Sequence, residues 1–383
     1  MQNSQLENAR ELPPLPAQQT AAEPDVGGSL EELSAANHDD NKTVIQLGLD
    51  DGYAYTKLAL ADGRLIAIPS RGRIGQAGIT WMDAAQQQIF EYDTEGSRYA
   101  VGQIDGESTC YDGYPISGLH RAIVQHAFQE AKLAGHSVHV VSGLPVSAFY
   151  FKDGQKREQA IGLKRESLKI PVQPVSTGGL YATQRLPVAV AFHEVIPEAL
   201  AAWYDQVIRQ RADGVALDAR LLEATMAIVD IGGRTTDYVV VQNQGIVHRS
   251  SGSLTRGLLD VQAQVAREIQ KQFDLETLGE QTLAAAITSG SVRLHGRAHD
   301  VSDLVKAAQH ELVVQIHAET RRQLGMGAEL DTVVFVGGGS AALAEQLADW
   351  FPQQRIAEHP GFANARGMLK YLQYVCEEPA SRN

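Results

Sequence analysis

Twice along this chain an apolar, β-forming run ends in an acid, turns on a glycine within three residues and leaves again as a second apolar run: LGLDDGYAYTKLAL at 47–60 and AIVDIGGRTTDYVVV at 227–241. A carboxylate at the end of a buried strand is costly to keep ionised unless a cation or hydrogen-bond donors meet it there. A glycine at a hairpin tip lets backbone N–H groups wrap an anion without side-chain interference. An acid beside such a nest repels a bare phosphate, but it becomes the counter-charge of a magnesium ion held through its waters. Two facing hairpins of this kind would clamp a magnesium-bound triphosphate from both sides. A third glycine loop, Gly337-Gly338-Gly339, stands where the apolar run VVFV gives way to a helical pattern. It suits close backbone approach to a ribose, an adenine or a phosphate.

Composition narrows the field around that motif. At 383 residues, 44% hydrophobic and 21% charged, the chain has the profile of a soluble globular protein with room for two domains. No apolar run approaches the roughly 18 residues of a membrane span, and the start lacks a basic-then-apolar leader. Two cysteines are too few for a disulfide framework or zinc cluster, so a cytoplasmic setting is expected. The formal charge of −13 argues against a direct grip on nucleic acid, and any link to DNA would run through a partner. No G-x-x-x-x-G-K-[ST] occurs and no G-x-G-x-x-G opens a helix after a strand, which excludes P-loop and Rossmann phosphate sites. Residues 1–42, with four prolines, eight acids and two bases, read as a solvated, disordered acidic tail.

From Thr43 the pattern is α/β. TVIQLGLD (43–50), YTKLALAD (55–62) and RLIAIPS (64–70) form a β-meander with a turn at Asp62-Gly63. Helices are predicted over 118–135, 198–212, 257–273 and 302–324, a strand over 137–145, and a strand, glycine loop and helix over 331–351. Arg71 and Arg73 of SRGRIG read as solvated loop residues.

Taken in order, the two hairpins and the glycine loop resemble the nucleotide core of the actin, sugar-kinase and heat-shock-ATPase superfamily. Within it the chain is most similar to the ParM/StbA family of bacterial actin-like ATPases, from about Val44 to the C-terminus. LDDGYAYTKL resembles that family's double-aspartate hairpin, IVDIGGRTTD its second hairpin and VVFVGGGSAAL its adenosine loop. VIPEALAAWYD resembles the stretch carrying its catalytic glutamate, here Glu198, and GSLTRGLLDVQ its glycine and helix near the nucleoside. The resemblance implies an actin-like fold of two related domains, ribonuclease H-like β-meanders plus helices, around a nucleotide cleft. The first domain would span 43–224, with the helix at 364–383 packing back on it, and the second 225–363.

The same resemblance implies the roles. Asp50 and Asp230 would hold magnesium through water, with Asp51 behind. The amides of Gly52, Tyr53 and Ala54 would cradle the β and γ phosphates of ATP or GTP, neutralised by Lys57. Gly232, Gly233, Arg234 and Thr235 would close on the γ-phosphate, with Gly257 near the nucleoside. Glu198 and Asp230 would be catalytic, Glu198 positioning the water, while Gly337, Gly338, Gly339 and Ser340 meet the adenosine. Tyr53 and Ala54 stand where many relatives place small hydroxyl residues, and RQRADGVALDARLLEAT (209–225) looks like an added connection. The implied activity is ATP hydrolysis coupled to self-association into filaments, which segregate plasmid or mobile-element DNA through a DNA-bound adaptor. A non-filamentous ATP-binding scaffold and a small-molecule kinase of the same superfamily are the alternatives.

Overall fold

The computed structural model of the protein describes residues 44–79, 87–175, 185–211 and 214–377. The acidic tail expected at 1–42 lies outside the described residues, and the C-terminal helix expected over 364–383 ends at Tyr374, with the residues beyond 377 outside the description. In the first half, β1 (Ile45–Asp51), β2 (Tyr55–Leu60) and β3 (Leu65–Pro69) form the expected antiparallel meander. The sheet then continues with β4 (Ser137–Leu144) parallel to β1 and β5 (Ala189–Pro197) parallel to β4, in the order β3-β2-β1-β4-β5. The second half repeats the plan. Strands β6 (Met226–Ile231), β7 (Thr236–Gln242) and β8 (Gly245–Ile246) meander, and β9 (Gly252–Leu254) also pairs with β7. β10 (Thr332–Val336) runs parallel to β6 and β11 (Gln354–Ile356) parallel to β10, giving β8-β7-β6-β10-β11. In each half, therefore, the acid-bearing strand is central, with its hairpin partner on one side and a parallel strand on the other.

Helices cover the sheets. α1 (Gly118–Glu130) starts at Ser117, whose hydroxyl caps the His120 amide at 3.1 Å, and it buries Ile123 and Phe128 against Leu47, Leu49 and Val140. α2 (Glu158–Ser167) lies over the end of the same sheet. α3 (Glu198–Val207) wedges between the halves, with Ala199, Ala202 and Trp203 packed on Ile228, Val239 and Val334 of the second sheet. α4 (Leu258–Phe273) and α5 (Ser302–Leu324) fall where the periodicity places them, and they bury Val265 and Ile316 against Val229, Tyr238 and Phe335. α6 (Gly337–Ala342) follows β10, and α7 (Ala363–Tyr374) returns to the first half.

Two further expectations are corrected. The helix predicted over 198–212 stops at Val207, and Ile208–Arg211 pairs instead with Gly214–Leu217 as a β-hairpin. β-Branched Val207 and Ile208 favour an extended exit, and the added segment becomes this hairpin plus a short helix, Ala219–Glu223, capped by Asp218. The helix expected late in 331–351 is confined to Gly337–Ala342, so the glycines are its body rather than a loop before it.

α7 sets the geometry of everything around β1. A methyl added at Gly48 would lie 1.9 Å from the Ala365 carbonyl oxygen, and one at Gly367 would lie 1.7 Å from that of Ala201. Backbone therefore touches backbone on both faces of α7. Arg366 and Lys370 hold the buried Asp205 of α3 at 2.6 and 2.8 Å. Gly48→Ala is expected to cost about 3 kcal/mol, since no flexible side chain can yield there. The urea midpoint, followed by far-ultraviolet circular dichroism, measures it, and an unchanged midpoint would contradict the tight crossing.

Candidate functional site

Because successive side chains of a strand alternate faces, Asp50 and Asp51 at the end of β1 point opposite ways. Asp50 faces the seam between the sheets and pairs with Lys57, its register partner on β2, at 2.9 Å. Burial alone would lower the Lys57 ammonium, but Asp50 overcomes it and the value is raised. Asp51 faces away from the seam. It accepts from Lys164 Nζ of α2 at 2.9 Å and from His120 Nε2 of α1 at 2.6 Å. Burial would raise the Asp51 carboxyl, yet Lys164 and His120 hold it far below the usual carboxylate range, while burial pushes the His120 imidazole down. Asp51 is thus an ionised anchor that fixes the end of β1 to both helices.

The hairpin tips are tied by their carbonyls. Ser70 Oγ donates to Gly52 O at 2.7 Å, Thr109 Oγ1 to Tyr53 O at 2.6 Å, and the Ser70 amide to Ala54 O at 2.9 Å. The amides of Tyr53 and Ala54 find no acceptor among the described residues. In the second tip, Gly232 N closes the turn on Thr235 O at 2.9 Å, and the carbonyls of Gly232 and Gly233 accept from Leu258 and Leu259 at the start of α4. The Gly233 and Arg234 amides are likewise without an acceptor among the described residues. The two tips meet: a methyl on Gly233 would fall 2.6 Å from Ala54 Cβ. Gly257 sits behind the second tip, where a methyl would lie 2.4 Å from Gly233 O, so its place is the hairpin–helix junction.

The glycine run that opens α6 divides its labour. Gly337 has φ +87°, the left-handed region, and a methyl there would lie 2.3 Å from Asp230 Oδ1. Gly339 faces Ile231, whereas Gly338 looks onto open space. Ser340 is buried and its hydroxyl donates to the Val336 carbonyl.

Acids converge on the seam. Asp230 Oδ2 accepts from Asn364 Nδ2 of α7 at 2.6 Å. Burial, with Asp50 and Asp237 adding to it, pushes the Asp230 carboxyl up to about 7 in spite of Asn364. Glu198, first residue of α3, lies against Gly143, where a methyl would fall 2.5 Å from its Cγ. Burial first, then Asp237, Asp50 and Asp230, raise Glu198 well above its usual value. Asp237 accepts from Val146 N at 2.9 Å, Thr235 Oγ1 at 2.8 Å and the Ser253 hydroxyl. Burial raises the Asp237 carboxyl and those three donors oppose it, whereas Glu198 has no such donors among the described residues and is driven towards its neutral form. The Val146 bond also crosses from the first half to the second.

A cavity of about 680 Å³ opens beside the tips, lined from the first half by Tyr53, Ala54 and Ser70 and from the second by Arg234, Arg256 and Leu259. Its far rim is closed by Arg71, which pairs with Glu280 at 2.6 Å, and by the Glu280 amide donating to Asp105 at 2.9 Å. Arg71 is therefore a contact between the halves and not the solvated loop residue expected. Sequence reasoning missed Asp237, Lys164, His120, Asn364 and Gly143. Asp237 was within sight, since it stands seven residues after Asp230 as Lys57 stands seven after Asp50 and is the same cross-strand partner. The others come from distant elements and carry no local signal.

This fold and cleft define an actin-like protein. The profile of the plasmid segregation protein ParM, N-terminal region, matches residues 45–207, and that of the archaeal actin homologue MreB-like, C-terminal region, matches 228–349. Between them they cover most of the chain, which is a member of the actin-like ATPase superfamily, ParM/StbA-like in its first half. An archaeal actin homolog of Thermoplasma volcanium is 23% identical over 357 residues, covering 85% of this chain and 97% of the relative. A 15-stranded ParM filament from Clostridium botulinum superposes with a TM-score of 0.66 at 17% identity, over 86% of this chain and 99% of that one. An archaeal actin homolog in complex with ADP superposes at 0.65 and 20% identity, with the same coverages.

Two outcomes follow from the electrostatics. A carboxyl whose folded value exceeds its unfolded one holds its proton more tightly in the fold. The contribution of Asp230 is then complete below about pH 4 and is lost as pH rises through about 7. Asp230→Asn is expected to stabilise the protein by on the order of 2 kcal/mol at pH 8 and hardly at pH 4, measured by urea titration at both. Lys164→Met, which strands the buried Asp51 charge, is expected to cost about 3–5 kcal/mol, with most of it restored in the Lys164→Met/Asp51→Asn double variant.

Proposed function

We propose that the protein is a magnesium-dependent ATPase of the cytoplasm that assembles into filaments and, through a DNA-bound adaptor, segregates plasmid or mobile-element DNA. In this reading 43–224 with α7 is one nucleotide-clasping domain and 225–363 the other, and GTP is an alternative substrate. The observation that carries it is the meeting of two acid–glycine hairpins, each with unpartnered tip amides, over a buried group of carboxyls. Asp50, Asp230, Asp237 and Glu198 outnumber the one lysine, Lys57, paired within that group, and burial with mutual repulsion raises the values of Asp230 and Glu198, an imbalance that a divalent cation would offset. When bound, magnesium supplies counter-charge to Asp50 and Asp230 through its waters and lowers those values.

The chain's own groups do the rest. Amides at Tyr53, Ala54, Gly233 and Arg234 donate to phosphate oxygens, and Lys57 adds a point charge. Glu198, once its neighbours are neutralised, ionises and accepts the proton of the attacking water. Asn364 and Gly337 confine Asp230, and Gly338 offers bare backbone to the nucleoside. α3 begins at Glu198 and packs between the sheets, so a change at the γ-phosphate reaches the interface of the halves and thereby the filament contacts. The similarity of the second half to archaeal actin homologues supports a second reading, a filament serving cell organisation instead of replicon partition.

Light scattering and negative-stain microscopy with magnesium and ATP, ADP or a slowly hydrolysed analogue test the proposal. Assembly with ATP and decay as phosphate appears are expected. Glu198→Gln is expected to lower hydrolysis by about 10²–10³-fold while leaving ATP-induced assembly, so that filaments persist. A monomer unchanged under every nucleotide would sink the filament reading.

A further inference from the structure

Arg234 stands at the second hairpin's tip, directly after Gly233, and its side chain does what the local sequence does not announce. The guanidinium crosses the cleft to the first hairpin, 5.0 Å over the Tyr53 ring, and donates from Nη1 to the Tyr53 hydroxyl at 3.2 Å. Nη2 pairs with Asp112 at 2.7 Å. Tyr53 and Arg234 both line the cavity beside the tips.

Its ties differ from those of the other cations nearby. Lys57 and Lys164 are held by the buried Asp50 and Asp51, and Arg71 closes the rim on Glu280. Arg256 is held within its own half by Gln315 of α5 at 2.7 Å. The partner of Arg234 is an aspartate whose side chain is 96% exposed, and a solvated pair of that kind is weak. Arg234 is thus the cation that a bound polyphosphate draws away most easily. Its planar fork matches two phosphate oxygens at once.

We infer that Arg234 is an arginine finger carried in cis, parked on Tyr53 and Asp112 and drawn onto the terminal phosphate of a bound nucleoside triphosphate. This rests on the nucleotide reading above. As the water oxygen bonds to the γ-phosphorus and its proton passes to Glu198, the bridging P–O bond breaks and its electron pair stays on the β-phosphate. The guanidinium stabilises the charge spread over the γ-oxygens. Asp112 and Tyr53 are then positioning residues that compete with the phosphate for Arg234.

The test compares wild type, Arg234→Gln, Arg234→Lys and Asp112→Asn. The readouts are single-turnover hydrolysis and the affinity ratio between a non-hydrolysed triphosphate analogue and ADP. Arg234→Gln is expected to slow hydrolysis by on the order of 10²–10³-fold and to flatten the ratio, with Arg234→Lys recovering part of both. Asp112→Asn, which frees the finger, is expected to move the ratio the other way, several-fold towards the triphosphate. If Arg234 only latches the halves together, Arg234→Gln and Asp112→Asn shift both readouts in the same direction, and the inference fails. Urea midpoints unchanged from wild type exclude misfolding as the cause. Absence of nucleotide binding by wild type overturns the nucleotide reading and this inference together. Hydrolysis that survives Arg234→Gln overturns this inference alone.

Discussion

Buried negative charge governs the architecture. Asp50, Asp51, Asp230, Asp237 and Glu198 lie within or beside one seam, and each must be neutralised, hydrogen-bonded or protonated, because an isolated ion in that environment costs far more than folding can supply. The protein uses all three answers. Asp50 and Asp51 have their own lysines, Asp237 has three donors, and Glu198 with Asp230 are driven towards their neutral forms. The first two solutions are rigid, and the third is reversible by a cation. That division separates the part of the seam whose charges are fixed by the fold from the part whose protonation can change.

The repeated sheet explains why the acids meet at all. Each half puts its acid on the central strand, immediately before a hairpin tip, and α3 and α7 pack between the halves so that the two strand ends face each other. The backbone contacts at Gly48 and Gly367 leave α7 no freedom to slide, which is how Asn364 comes to lie on Asp230. At the opposite rim, Arg71, Asp105 and Glu280 close the halves through polar contacts, a weaker and more separable join than the apolar packing of α3. One side of the seam is therefore held by apolar packing and the other by polar pairs.

Much of this was legible along the chain. The two strand–acid–glycine–strand units, the meanders and helices α4 and α5 all follow from periodicity and turn chemistry over a dozen residues, where local preference and burial agree. The exit of α3 was misread because an amphipathic pattern continued through a segment that β-branching and Gly214 turn into a hairpin. Lys164, His120 and Asn364 were not legible, since each reaches the site from an element more than 60 residues away and none sits in a motif of its own.

By itself the sequence determined the two acid-bearing hairpins, the glycine run after the later strand and hence the actin-like class, because each is a short-range arrangement of strand, charge and flexible backbone. Only the tertiary structure decided which acids stay ionised, which are driven towards their neutral forms and where Arg234 rests. Those outcomes depend on burial and on partners brought together by the crossing of α3 and α7, and no local pattern encodes the dielectric surroundings of a side chain.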